Sequence, residues 1–103
     1  MVKFKIDWSI EARLDLIGIL EFYLKQNDTA TYSIKLNSEI NKSVKLISKN
    51  PFIGIPTDYD SVRAFIKGDY QIIYEIVDKL ILVIMIWDCR RYPEDRIIDR
   101  RIK

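Results

Sequence analysis

Histidine is absent from this 103-residue chain, and cysteine occurs once, at Cys89. No internal disulfide can form, and the nitrogen and sulfur donors that hold zinc or iron are missing, so no metal or other cofactor is expected. Glycine and proline number three each, which leaves no room for long flexible linkers or low-complexity tails. The longest apolar run, residues 80–87, spans eight residues against the ~20 needed to cross a bilayer. Residues 1–5 lack the apolar core of a signal peptide, so a cytoplasmic location is expected, with no membrane partner. Charge of one sign is scarce as well, the net being +2. Residues 1–86 balance. The excess sits in 87–103, where Arg90, Arg91, Arg96, Arg100, Arg101 and Lys103 outnumber Asp88, Glu94, Asp95 and Asp99. A protein that grips nucleic acid unaided carries a stronger basic field, so any nucleic acid here would be delivered by another body.

What the chain does have is the 49% hydrophobic and 12% aromatic content of a globular protein, at a length that fits one domain, 1–103. Lys3 to Trp8 alternates charged and apolar residues, the pattern of a half-buried strand. Ser9 is a good N-cap with Glu11 in the first turn, predicting a helix from Ile10 to about Gln26. Apolar residues cover most of that helix, leaving a narrow arc of Glu11, Asp15, Gly18 and Lys25, so it is expected to pack against two neighbours. Asp28 is placed to cap a second helix running to about Lys49. Its face of Leu36, Ile40, Val44 and Ile47 opposes a lysine face, and Asn50-Pro51 stops it. Residues 51–60 read as a turn-rich loop. Three strands follow, Ser61–Lys67, Tyr70–Val77 and Leu80–Trp87, joined by Gly68-Asp69 and Asp78-Lys79, connections short enough to force antiparallel neighbours. Pro93 at a helix-starting position, with Glu94 and Asp95 behind it, predicts a short helix over 93–102. The order β-α-α-β-β-β-(α) describes an α+β domain, a helical hairpin packed on a four-stranded, mainly antiparallel sheet.

The run Leu80-Ile81-Leu82-Val83-Ile84-Met85-Ile86-Trp87 is apolar on both faces and reads as a central strand. Its exit places Arg90, Arg91 and Tyr92 at a rigid point on the rim of the core. These arginines read either as contacts to a partner or as solvated, salt-bridged surface, and Asp88 stands where it could pair with Arg90. Arg63 faces either solvent or a groove. Tyr70 and Tyr74 share a strand face with Ile72 and Ile76, which favours packing.

Several segments together resemble the RelE/ParE superfamily of bacterial type II toxin–antitoxin toxins. Asn50-Pro51-Phe52-Ile53-Gly54 is similar to the family's loop after the second helix. Tyr70-Gln71-Ile72-Ile73-Tyr74 is similar to its tyrosine-flanked strand, and Ile84-Met85-Ile86-Trp87-Asp88-Cys89-Arg90-Arg91-Tyr92-Pro93 to its last strand and basic exit. The resemblance implies a growth-inhibiting toxin neutralised by a cognate antitoxin in a hetero-oligomer. Its target is left open. ParE-like members act on DNA gyrase, and RelE-like members cleave mRNA on the ribosome without a metal. A degenerate member would bind its antitoxin without toxicity.

Carried over from the nuclease pattern, the candidate site is Arg63, Lys67, Arg90, Arg91 and Tyr92. Arginine suits phosphate because its planar fork matches two oxygens and stays charged. Proton transfer is harder to staff. Without histidine, Tyr92 would need nearby arginines to draw its pKa down from ~10, with Asp88, Glu75 and Lys67 as the other candidates. Gln71 stands where ribosome-dependent members commonly carry an arginine. That departure and the missing histidine lean the reading towards a ParE-like inhibitor of gyrase.

Overall fold

The computed structural model describes residues 4–27 and 29–102. Along the chain run β1 (Lys5–Trp8), α1 (Ile10–Asn27), α2 (Thr31–Lys49), β2 (Ile55–Pro56), β3 (Val62–Lys67), β4 (Tyr70–Val77) and β5 (Leu80–Asp88). Two short 3-10 turns, Pro93–Asp95 and Ile98–Arg100, end the described chain. The strands form one sheet in the order β1-β5-β4-β3-β2. β1 lies parallel to β5, and every other neighbour pair is antiparallel. The expected α+β class holds.

Two elements differ from the sequence reading. The sheet has five strands rather than four, because Ile55 and Pro56 of the expected loop pair with Ala64 and Arg63. Proline is tolerated there because an edge strand leaves one side of its backbone unpaired. The expected terminal helix is two 3-10 turns separated by non-helical backbone at Arg96 and Ile97. Tertiary anchors override local helix preference in this tail: Ile98 and Ile102 pack on the sheet, and Arg101 reaches back to α1. The proposed cap at Asp28 and the strand start at Lys3 fall outside the described residues. α2 begins after Ala30 with no side-chain cap, whereas Ser9 does cap α1, its Oγ accepting the Ala12 N–H at 3.0 Å.

Two apolar clusters sandwich the sheet. On one face Leu36, Ile40, Val44 and Ile47 of α2 meet Tyr70, Ile72, Tyr74, Ile81, Val83 and Ile86. On the other, Val62, Ala64, Ile73, Leu82, Ile84, Met85 and Trp87 are covered by Ile98 and Ile102 of the tail. β5 is thus buried on both sides, as its unbroken apolar run requires.

A bulge in β5 decides what this strand presents at its exit. Ile73 pairs with Met85 but Tyr74 pairs with Val83, which leaves Ile84 as an extra residue. Before the bulge Ile81 and Val83 face the helices. After it the phase flips, so that Ile86 faces the helices while Met85 and Trp87 face the tail. The same flip brings Asp88, opposite Tyr70, to the helical side.

At the other edge, the loop after α2 is clamped by Tyr74, whose hydroxyl donates to Pro51 O at 2.7 Å and accepts the Gly54 N–H at 3.0 Å. Glycine is required at 54, since an added Cβ would lie 2.7 Å from that hydroxyl and 3.1 Å from Ala64 O. Gly54→Ala is expected to destabilise the fold by about 1–3 kcal/mol, measured as a lowered urea midpoint with an unchanged m-value.

Candidate functional site

An open groove of about 910 Å³ runs between α1 and the exit of β5. Leu14, Asp15, Gly18, Ile19, Phe22 and Tyr23 form its helical wall. Ile86, Asp88, Arg90 and Arg91 form the strand wall, and Tyr32 and Tyr70 also line the groove. The groove exists because β1 stops short. β1 pairs with β5 only from Leu80 to Val83, with Ser9 N–H reaching Val83 O at 2.9 Å, while β5 continues to Asp88.

Side chains cover part of the edge left beyond Val83. Asp15 Oδ2 accepts the Ile86 N–H at 3.1 Å, and Arg101 Nη1 donates to Ile84 O at 2.8 Å. The two side chains also pair with each other at 2.9 Å, and Arg101 Nε lies 3.2 Å from Glu11. The hydrogen bond to Asp15 raises the pKa of Arg101 further. Ladder groups that no strand completes are satisfied here by side chains from α1 and the tail, one of the ways a sheet edge is protected.

At the exit, Arg90 is held from three directions. Its Nε and Nη2 meet the two carboxylate oxygens of Asp88 at 2.9 and 2.8 Å, and Nη2 also donates to Tyr23 Oη at 2.6 Å and Tyr70 Oη at 3.3 Å. Tyr70 Oη donates in turn to Tyr23 Oη at 3.0 Å. The Arg90 hydrogen bond holds the Asp88 carboxyl below its ordinary 3.8, and burial, followed by the contact with Tyr23, pushes the Tyr70 hydroxyl up. The bulge makes this cluster possible, because only the flipped phase turns Asp88 towards Tyr70 and Tyr23.

The five residues singled out in the sequence are dispersed. Arg90 and Arg91 line the groove. Lys67, exposed at the end of β3, lies opposite Tyr70, which in turn lies opposite Asp88, so it shares their end of the sheet two strands away. Arg63 sits four residues earlier on β3, roughly 13 Å up the strand. Its Nη1 donates to Gly54 O at 2.7 Å and Phe52 O at 3.2 Å, and its guanidinium stacks 5.1 Å from the Phe52 ring centroid. Tyr92 is 73% exposed and lies outside the groove lining. Arg91 stacks on Trp87, 4.6 Å from the ring centroid, with no ion pair among the described residues.

The sequence reading did not anticipate the helical wall. Leu14 and Phe22 lie on the helix whose apolar cover is expected to pack against two neighbours, yet they are 61% and 48% exposed. Tyr23 lies on the same helix, and its hydroxyl is a partner of Arg90. The available signal was Asp15 and Gly18, which interrupt an otherwise apolar helix on one side.

Two packed layers thus surround a central strand, with a basic exit beside an open groove. The fold is similar to a chain of the chromosomal ParDE toxin–antitoxin system of P. aeruginosa, with a TM-score of 0.73 at 20% identity over 84% of this chain and 96% of that one. It is also similar to a chain of the RelBE2 toxin–antitoxin complex of Mycobacterium tuberculosis, with a TM-score of 0.62 at 16% identity over 84% and 99%. No curated protein sequence matches the chain. Residues 6–93 match the family described as the ParE toxin of type II toxin-antitoxin system, parDE, and the chain belongs to that family.

Because Asp88 titrates below its ordinary value when folded, its contribution to stability is complete above about pH 4 and is lost as pH falls through the folded pKa. Asp88→Asn is therefore expected to be less stable than the wild type at neutral pH and to lose less stability between about pH 4 and pH 2. Urea denaturation at stepped pH measures both.

Proposed function

We propose that this chain is a ParE-like toxin that inhibits growth by binding DNA gyrase in the cytoplasm and is neutralised by a cognate antitoxin. The observation that carries the reading is the state of its arginines. Cleaving RNA requires a guanidinium free to meet the phosphate oxygens and a group able to take the 2′-hydroxyl proton. Arg63 is directed at the carbonyls of Phe52 and Gly54, and Arg90 is held by Asp88, Tyr23 and Tyr70, which leaves Arg91 as the guanidinium of the candidate set open to the groove.

The carboxylate beside Arg90, that of Asp88, is committed to the guanidinium through both oxygens. Burial moves the Tyr70 hydroxyl away from the role of proton acceptor, and the chain has no histidine. Such a surface is equipped for recognition by shape and charge, which is what an inhibitor of a large protein target needs.

The test uses the purified chain in two reactions. Gyrase supercoiling of relaxed plasmid should be inhibited, with cleaved DNA accumulating, while mRNA in a translating extract should stay intact. Intact gyrase activity combined with ribosome-dependent mRNA cuts that disappear in Arg90→Ala would replace this reading with the RelE-like nuclease. Inactivity in both assays, with antitoxin binding retained, would mark a degenerate member.

A further inference from the structure

The outward side of α1 is apolar where contact with water favours polar residues. Ile10, Leu14, Ile17 and Leu24 are 77%, 61%, 49% and 46% exposed. Their spacing puts them within roughly 80° of the helical wheel, turned away from Ala12, Leu16, Ile19 and Tyr23, which pack on the core. Leu14 also borders the groove, but Ile10, Ile17 and Leu24 do not. Single exposed aliphatic side chains are ordinary, whereas a contiguous stripe of them marks a surface that another body covers.

Charge along the stripe says what that body is. Arg13 and Glu21 are exposed on the same arc and have no ion pair among the described residues. They flank Ile17 symmetrically, one helical turn to either side, and are opposite in sign. Ile10 and Leu24 flank it symmetrically as well, one turn further out. Reversed about Ile17, the stripe repeats itself in apolar bulk and inverts itself in charge. That is the pattern of a self-complementary, isologous surface.

We infer that α1 pairs two copies of this chain antiparallel across a two-fold axis at Ile17. There Ile17 meets its own counterpart, Ile10 of one protomer meets the partner's Leu24, and Arg13 meets the partner's Glu21, the last two contacts occurring twice. Burial of the aliphatic stripe supplies the affinity, and the reciprocal charges fix direction and register. A parallel pairing would set Arg13 against Arg13 and Glu21 against Glu21, which like-charge repulsion opposes. One helix per copy makes an interface at the small end of specific contacts, so the dimer forms in the micromolar range. The pairing does not depend on which target the chain acts on.

The experiment is sedimentation velocity of the full chain, free of antitoxin, between about 5 and 500 μM, with circular dichroism of each variant to verify its fold. The wild type is expected to pass from monomer to dimer as concentration rises. Ile17→Asp sets two carboxylates against each other on the axis and should keep the chain monomeric throughout. Arg13→Glu and Glu21→Arg should each weaken the dimer roughly fivefold or more, since each change converts two ion pairs into like-charge contacts. Mixing those two variants restores opposite charges at both contacts and should recover a dimer of wild-type strength, a result that no effect on helix stability reproduces. A wild-type chain that stays monomeric to the highest concentration overturns the inference, as does a dimer that survives Ile17→Asp. A mixture no stronger than either variant alone overturns the two-fold register. A monomeric wild type whose antitoxin binding is lost in Ile17→Asp assigns the stripe to the antitoxin and overturns the second copy as its occupant.

Discussion

β5 is a strand that water must not reach from either side, and the molecule is arranged around that constraint. One side is closed by the helical hairpin through Leu36, Ile40, Val44 and Ile47. The other is closed by a short tail through Ile98 and Ile102. Burying a Leu, Ile or Val side chain contributes about 1.5–3 kcal/mol, so this strand dominates the core. The tail needs no regular helix to do its part. Its two anchoring isoleucines and the Arg101 link to Asp15 fix it where a continuous helix would aim those side chains differently.

The bulge at Ile84 converts that buried strand into a site. Without the extra residue, plain alternation from Ile81 and Val83 would turn Met85 and Trp87 towards the helices and Asp88 towards the tail. With it, Asp88 meets Arg90, Tyr23 and Tyr70 in one polar cluster at the groove end. Geometry also separates the two arginines of the exit. Arg90 is locked within the chain, and Arg91 stacks on Trp87 with its charge open to the groove. Adjacent residues of one type thus have different chemical roles.

Much of the fold was legible in the sequence where a single period dominates. The α2 stripe, the two tight hairpins around β4 and the double-sided burial of β5 all follow from spacing and turn residues. The bulge was not legible, because a run of consecutive aliphatic residues carries no phase to reveal a slip. The tail was misread because local signals at Pro93, Glu94 and Asp95 favour a helix, and the contacts that override them come from β5 and α1. α1 packs against α2 and β5 as expected, but the side it leaves open was not legible, for a related reason. Its polar residues Glu11 and Asp15 reach towards Arg101 and the β5 edge, while Leu14, Ile17 and Phe22 are left exposed. The exit arginines were visible as a pair. The engagement of Arg63 was not, since its acceptors belong to a loop that Tyr74 holds in place from another strand.

The parallel pairing of β1 with β5 also bears on how the protein is born. Lys5 lies opposite Leu80, so β1 has no neighbour until β5 has been synthesised. The hairpins of β3, β4 and β5 are local and can zip early, but joining β1 closes a very long loop, a step that slows folding. The groove wall depends on that step, because α1 is tethered directly to β1. Nascent chains therefore lack the surface built by α1 and β5, and a partner can recognise it only after synthesis has brought both elements together.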